Sequence, residues 1–142
     1  MTRKRSKYRP KPNLKDPLNY VLSGISRLPK DIDTTVRTMN HISMELLRTG
    51  KAKDDDIGTL SAFLKIALAL ARPPLSIGTD WVPELLKAQE SLRAIARRRP
   101  NYVLTGPELT SLNLALQIHD AQLDKATVID VEMALKLIKE NE

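Results

Sequence analysis

Cysteine is absent from all 142 residues. That excludes disulfide frameworks, thiolate nucleophiles, cysteine-type zinc fingers and iron–sulfur clusters. Aromatic residues make up 4% of the chain, with one Trp, one Phe and three Tyr, too few for a surface on which bases stack. The longest uninterrupted apolar run, residues 66–71, has six residues, far short of the roughly 20 that span a bilayer. Phosphate-cradling and nucleophile motifs are also missing: there is no P-loop, no Gly-x-Gly-x-x-Gly after a strand and no Gly-x-Ser-x-Gly elbow. What is present, 42% hydrophobic and 28% charged residues, fits one globular domain with a core of its own.

Acid is missing locally as well. The first fifteen residues hold Arg3, Lys4, Arg5, Lys7, Arg9, Lys11 and Lys15 and no Asp or Glu, so removing seven charges from the formal +6 leaves the rest of the chain at −1. The basic balance is thus a property of one arm. No apolar run follows these charges, so the arm does not read as a secretory signal, and Pro10 and Pro12 interrupt any amphipathic transit helix. Alternation of Pro with basic residues favours an extended arm over residues 1–15, followed by a single helical domain over residues 16–142. The expected location is the cytoplasm, with no membrane partner.

From Asp16 onward the periodicity is helical. Asp16 and Pro17 form an N-cap and N1 pair ahead of Leu18, Val21, Leu22, Ile25 and Leu28. Ile32, Val36, Met39, Ser43 and Leu46 predict a second helix over residues 32–49, with Gly50 just past its end. Asp54, Asp55 and Asp56 predict an N-cap and first-turn anions for a third, central helix with Ile57, Leu60, Leu64, Leu68 and Ala71 on one face, widened by Phe63, Ile66 and Leu70. A fourth, capped by Thr79 or Asp80, runs to Arg99 with Pro83 in its first turn and Trp81, Leu85, Leu92, Ile95 and Ala96 inward. Thr105-Gly-Pro-Glu108 is a capping box for a fifth helix carrying Leu109, Leu112, Leu116 and Leu123, with Leu114, Ile118 and Ala121 beside them. Thr127 to Asp130 repeats the pattern for a last helix with Val128, Val131, Leu135 and Ile138. The expected fold is all-α: a compact bundle of five or six helices with an extended basic arm.

Two stretches resemble a known group. Arg9-Pro-Lys-Pro12 followed by Asp16-Pro-Leu-Asn-Tyr-Val-Leu-Ser-Gly24, and Thr105-Gly-Pro-Glu-Leu109 with Leu114-Ala-Leu-Gln-Ile-His-Asp-Ala-Gln-Leu-Asp124, are similar to small helical accessory proteins of tailed bacteriophages and prophages. The likeness covers roughly half the chain and is one of pattern and layout. That group has no assigned activity. The resemblance implies a phage gene product, for which host takeover or counter-defence is the typical work.

Candidate sites are few. The two histidines, His41 and His119, both fall within predicted helices. With Glu45, Asp120 and Asp124 nearby in the pattern, facing helices could assemble a bundle-type metal site, but the paired Glu-x-x-His motifs of such sites are missing. Structural histidines are the better reading, and His41 could pair locally with Glu45. The run Asp54 to Asp56 lacks the spacing of a calcium loop and reads as helix capping. No catalytic residue, metal ligand or cofactor is assigned. The arm's seven cations, with Arg93, Arg97 and Arg98, are the candidate partner- or phosphate-binding residues; Arg99 ends the same cationic run, and Glu90 can pair locally with Arg93. The expectation is a non-enzymatic binding protein that engages a host protein with help from the arm. The alternatives are a sequence-tolerant nucleic-acid binder, or a self-associating structural component whose homo-oligomer interface lies around Phe63, Ile66 and Leu70.

Overall fold

The computed structural model describes residues 30–141, with side chains from Thr34 onward. The basic arm and the helix expected between Pro17 and Leu28 lie outside the described residues. Five α-helices follow in order: α1 (Lys30–Arg48), α2 (Asp54–Ala71), α3 (Val82–Ala96), α4 (Gly106–Lys125) and α5 (Val128–Glu140), with a 3-10 turn at Thr79–Trp81 leading into α3. No strand occurs among the described residues. The all-α expectation therefore holds.

α2 is the hub, in contact with each of the other four helices, because it is apolar nearly all round. Leu60, Phe63, Leu64 and Ala67 face the larger core with Met44 and Leu47 of α1, Leu85, Ala88, Leu92 and Ile95 of α3, and Leu112, Ala115 and Leu116 of α4. On its opposite side, Ile66 and Leu70 meet Val128, Val131 and Ala134 of α5 in a second core. Each buried Leu or Ile here contributes roughly 1.5–3 kcal/mol of apolar transfer. Phe63, Ile66 and Leu70 are 2%, 8% and 0% exposed, so the oligomer interface expected from them is spent inside the chain.

Helix starts follow local chemistry, with two departures. Thr105 and Thr127 cap α4 and α5 as expected: each hydroxyl accepts from the N3 amide, and Glu108 or Asp130 reaches back to the N-cap amide at 2.9 and 2.8 Å. For α2 the cap position falls one residue earlier, on Lys53, and Asp56 supplies the reach-back bond to the Lys53 amide at 2.9 Å. The three aspartates fill the first turn, where the helix dipole favours anions. Neither Thr79 nor Asp80 caps α3. The Thr79 hydroxyl donates to the Ala71 carbonyl at 3.0 Å, closing the end of α2, and Trp81 takes the N-cap position without a side-chain bond.

Four further corrections follow from the packing and the helix ends. In α1 Ser43 is buried as expected and Val36 and Leu46 are half-buried, but Met39 is 43% exposed and the inward face centres on Asn40, Ser43, Met44 and Leu47, with the polar Asn40 in a core position that the apolar pattern did not mark. Ser43 earns its place by donating to Asp56 Oδ1 at 3.1 Å, tying α1 to the start of α2. Trp81 is 45% exposed, since the 3-10 turn aims it away from the face α3 buries. Ala121 likewise faces outward, and Arg97, Arg98 and Arg99 follow α3 in a turn rather than completing its last one.

Candidate functional site

The two histidines have separate fates. His119 on α4 is 1% exposed, stacked on Phe63 with ring centroids 5.6 Å apart. Its Nδ1 lies 3.0 Å from Gln122 Oε1. Gln122 Nε2 donates to the carbonyls of Ala67 at 2.9 Å and Ile77 at 2.8 Å, which fixes the amide's orientation and leaves Oε1 as acceptor. His119 Nδ1 is therefore the donor. Burial pushes the His119 pKa down, so the ring is neutral and serves the core. His41 stands at the surface, its Nε2 2.8 Å from Asp120 Oδ2. Beside it, Arg37 bonds Asp124 Oδ1 at 2.7 Å and the Asp120 carbonyl at 3.1 Å.

This seam stitches α1 to α4. The local pair expected between His41 and Glu45 does not form, because Glu45 turns to Arg48, whose Nε donates to Oε1 at 2.9 Å. His119 is buried beneath the seam and faces Gln122. Among the described residues no group of three His, Asp or Glu side chains is placed to hold a metal ion.

The arginines after α3 clasp helix starts. Arg98 forms a two-pronged bridge to Glu108 at 2.6 and 2.9 Å and also donates to the Val103 carbonyl, holding the Glu108 carboxyl below its usual range. Arg99 grips Asp54 with bonds of 2.9 to 3.2 Å, and the Tyr102 hydroxyl donates to the same carboxylate. Together they pull the Asp54 pKa down to about 2. Of the arginines proposed from sequence as a binding patch, Arg98 is thus a brace between a turn and α4, and Arg93 pairs with Glu90 at 3.0 Å, as expected. Arg97 is exposed. Arg3, Lys4, Arg5, Lys7, Arg9, Lys11 and Lys15 lie outside the described residues.

An apolar concave surface lies away from these ion pairs. A groove of about 360 Å³ runs between α2, α3 and the end of α5, with Leu68, Leu86, Leu137 and Ile138 as its apolar wall and Lys65 and Arg72 at its edge. A smaller recess of about 140 Å³ adjoins it toward Ile57 and Ala96, with Lys65 and Gln89 lining both. The combined lining contains three cations, Lys65, Arg72 and Arg93, and no acid. No family model, curated protein or solved structure matches the chain.

What the groove can do must therefore be read from its own residues. An apolar wall with cations along its edge suits an anionic amphipathic ligand. Sequence reasoning missed it, although one signal was there: Lys65 is the single charged residue between Asp56 and the end of α2, so it marks the one strip of that helix left uncovered. None of the described helices is long and apolar enough to cross a membrane.

Proposed function

We propose that this protein acts by binding another protein and carries out no chemistry on it. The supporting observation is the groove, a concave apolar surface edged by Lys65 and Arg72 with no acid in its lining, Arg93 beside them being paired to Glu90, on a chain whose residues beyond the first fifteen carry a formal net charge of only −1. Cations gathered at one concave face of a nearly neutral body favour an acidic partner and steer its approach. The likeness of the chain's two ends to phage accessory proteins makes a protein of the bacterial host, met in its cytoplasm, the partner of choice, and the basic arm adds a second point of contact. The test is capture from bacterial lysate by the full chain and by a chain lacking residues 1–15, each with and without nuclease. A protein partner retained after nuclease and held less tightly without the arm is expected; recovery of nucleic acid alone overturns the reading.

The arm supports a second reading, nucleic-acid binding through phosphate contacts. Seven cations without an acid would release counterions on binding and lose affinity steeply between about 50 and 200 mM salt. A flat salt response removes it.

A further inference from the structure

We infer that the groove between α2, α3 and α5 is a docking site for an acidic amphipathic helix of the partner. The inference rests on the reading of the protein as a protein-binding module and adds where the partner sits and what its surface looks like. The shape argument comes from spacing. The α2 residues facing the groove, Ile57, Ser61, Leu64, Lys65 and Leu68 among them, recur every three or four positions and lead to Arg72 at the C-cap, and Leu86, Gln89, Leu92, Arg93 and Ala96 do the same on α3. Two neighbouring helices that present such stripes leave between them a trough into which a third helix packs. From Ile57 to Arg72 the trough follows α2 for about 22 Å at 1.5 Å per residue, which matches roughly 15 residues of helix. α5 closes the far end with Leu137, Ile138 and Asn141.

The charge argument selects the occupant. Arg93 is bonded to the exposed Glu90, but Lys65 and Arg72 are exposed and have no side-chain partner among the described residues. They stand seven residues apart, Lys65 within α2 and Arg72 at its C-cap, so carboxylates about seven residues apart on a docked helix can meet both. The chain's own first fifteen residues, with seven cations and no acid, carry the wrong charge to complement this edge, which favours an acidic occupant from another molecule. Leu86, 38% exposed, gives the docked helix an apolar anchor.

The probe is a pair of synthetic 16-residue amphipathic helical peptides with the same leucine face, one carrying Glu and the other Lys on the polar face, titrated by fluorescence anisotropy against the full chain. The acidic peptide binds and the basic one does not. Lys65→Glu with Arg72→Glu weakens the acidic peptide by about tenfold or more, and Leu86→Asn weakens it severalfold. A charge-matched control, Lys51→Glu with Lys125→Glu, changes exposed cations outside the groove and leaves affinity within about twofold. Lys65→Arg with Arg72→Lys retains binding, and helical circular dichroism confirms that each variant folds. Three results overturn the inference: no binding of the acidic peptide, equal binding of both peptides, or binding that disappears with residues 1–15 and ignores Lys65 and Arg72. The two readings fail separately. A lysate protein held equally by wild type and the Lys65/Arg72 variant sinks the groove and leaves the binding function standing; an occupied groove with no protein captured does the reverse.

Discussion

A single polar residue holds three elements together. Gln122 sits on α4, 2% exposed, and spends its amide on Ala67 of α2, on Ile77 of the loop before α3 and on His119. Gly78, next to that loop carbonyl, has φ +87° and lies so close that an added Cβ would meet Gln122 Nε2 at 3.4 Å. Gln122→Leu would take this partner from the Ile77 carbonyl and the imidazole N–H and leave the Ala67 carbonyl only its helical bond, so it should cost about 2 kcal/mol or more, read from urea unfolding; a loss under about 1 kcal/mol would mean that the network is dispensable. His119 adds a pH signature. Its folded pKa is depressed below 6.5, so the unfolded chain takes up the proton first and stability falls as pH drops below about 6.5. His119→Gln should flatten that slope. Asp54 acts lower on the scale. Held at about 2 against an ordinary 3.8, its carboxylate contributes stability that is fully present above about pH 4 and disappears as pH approaches 2. The unfolding midpoints of wild type and Asp54→Asn should therefore differ at pH 6 and converge near pH 2; a constant gap would separate the Arg99 and Tyr102 bonds from stability.

Helices were legible where their signals are local. The box from Thr105 to Glu108 is written in four consecutive positions, and Thr105→Ala should cost about 1 kcal/mol in a thermal or urea melt. Its energy is not independent of the turn before it, because Glu108 also receives both prongs of Arg98. In a double-mutant cycle Thr105→Ala and Arg98→Ala should therefore couple by about 0.5 kcal/mol or more, whereas strict additivity would mean that the brace and the cap act separately. The phase of α1 was illegible for a complementary reason. Hydrophobic periodicity finds a buried face when that face is apolar, and here the polar Asn40 points inward while the apolar Met39 and Ile42 are exposed. Gln122 misleads in the same way within α4. The Arg99 to Asp54 bridge joins positions 45 apart in sequence, and no local pattern could announce it. The candidate groove suffered most, since it exists only where stripes from α2, α3 and α5 meet.

At the scale of the molecule, the positive excess is set apart in sequence from the residues that build the two described cores. Both cores are built from residues between Met44 and Ala134 around α2, whereas residues 1–15 have no helical apolar pattern and carry the whole positive excess. Deleting them changes the formal net charge from +6 to −1 and should leave the unfolding free energy from urea melts unchanged within about 0.5 kcal/mol. What the deletion alters is long-range attraction. If nucleic acid is a ligand, seven phosphate contacts give a log–log salt slope of about −6 for the full chain, and the shortened chain should approach zero. Docking of an acidic helix at Lys65 and Arg72 should instead survive the deletion, with a slower association rate at low salt and little change in dissociation. A fall in the unfolding midpoint on deletion would make residues 1–15 a structural strap. The separation of a neutral, stable body from a cationic arm would then be wrong, whatever the ligand.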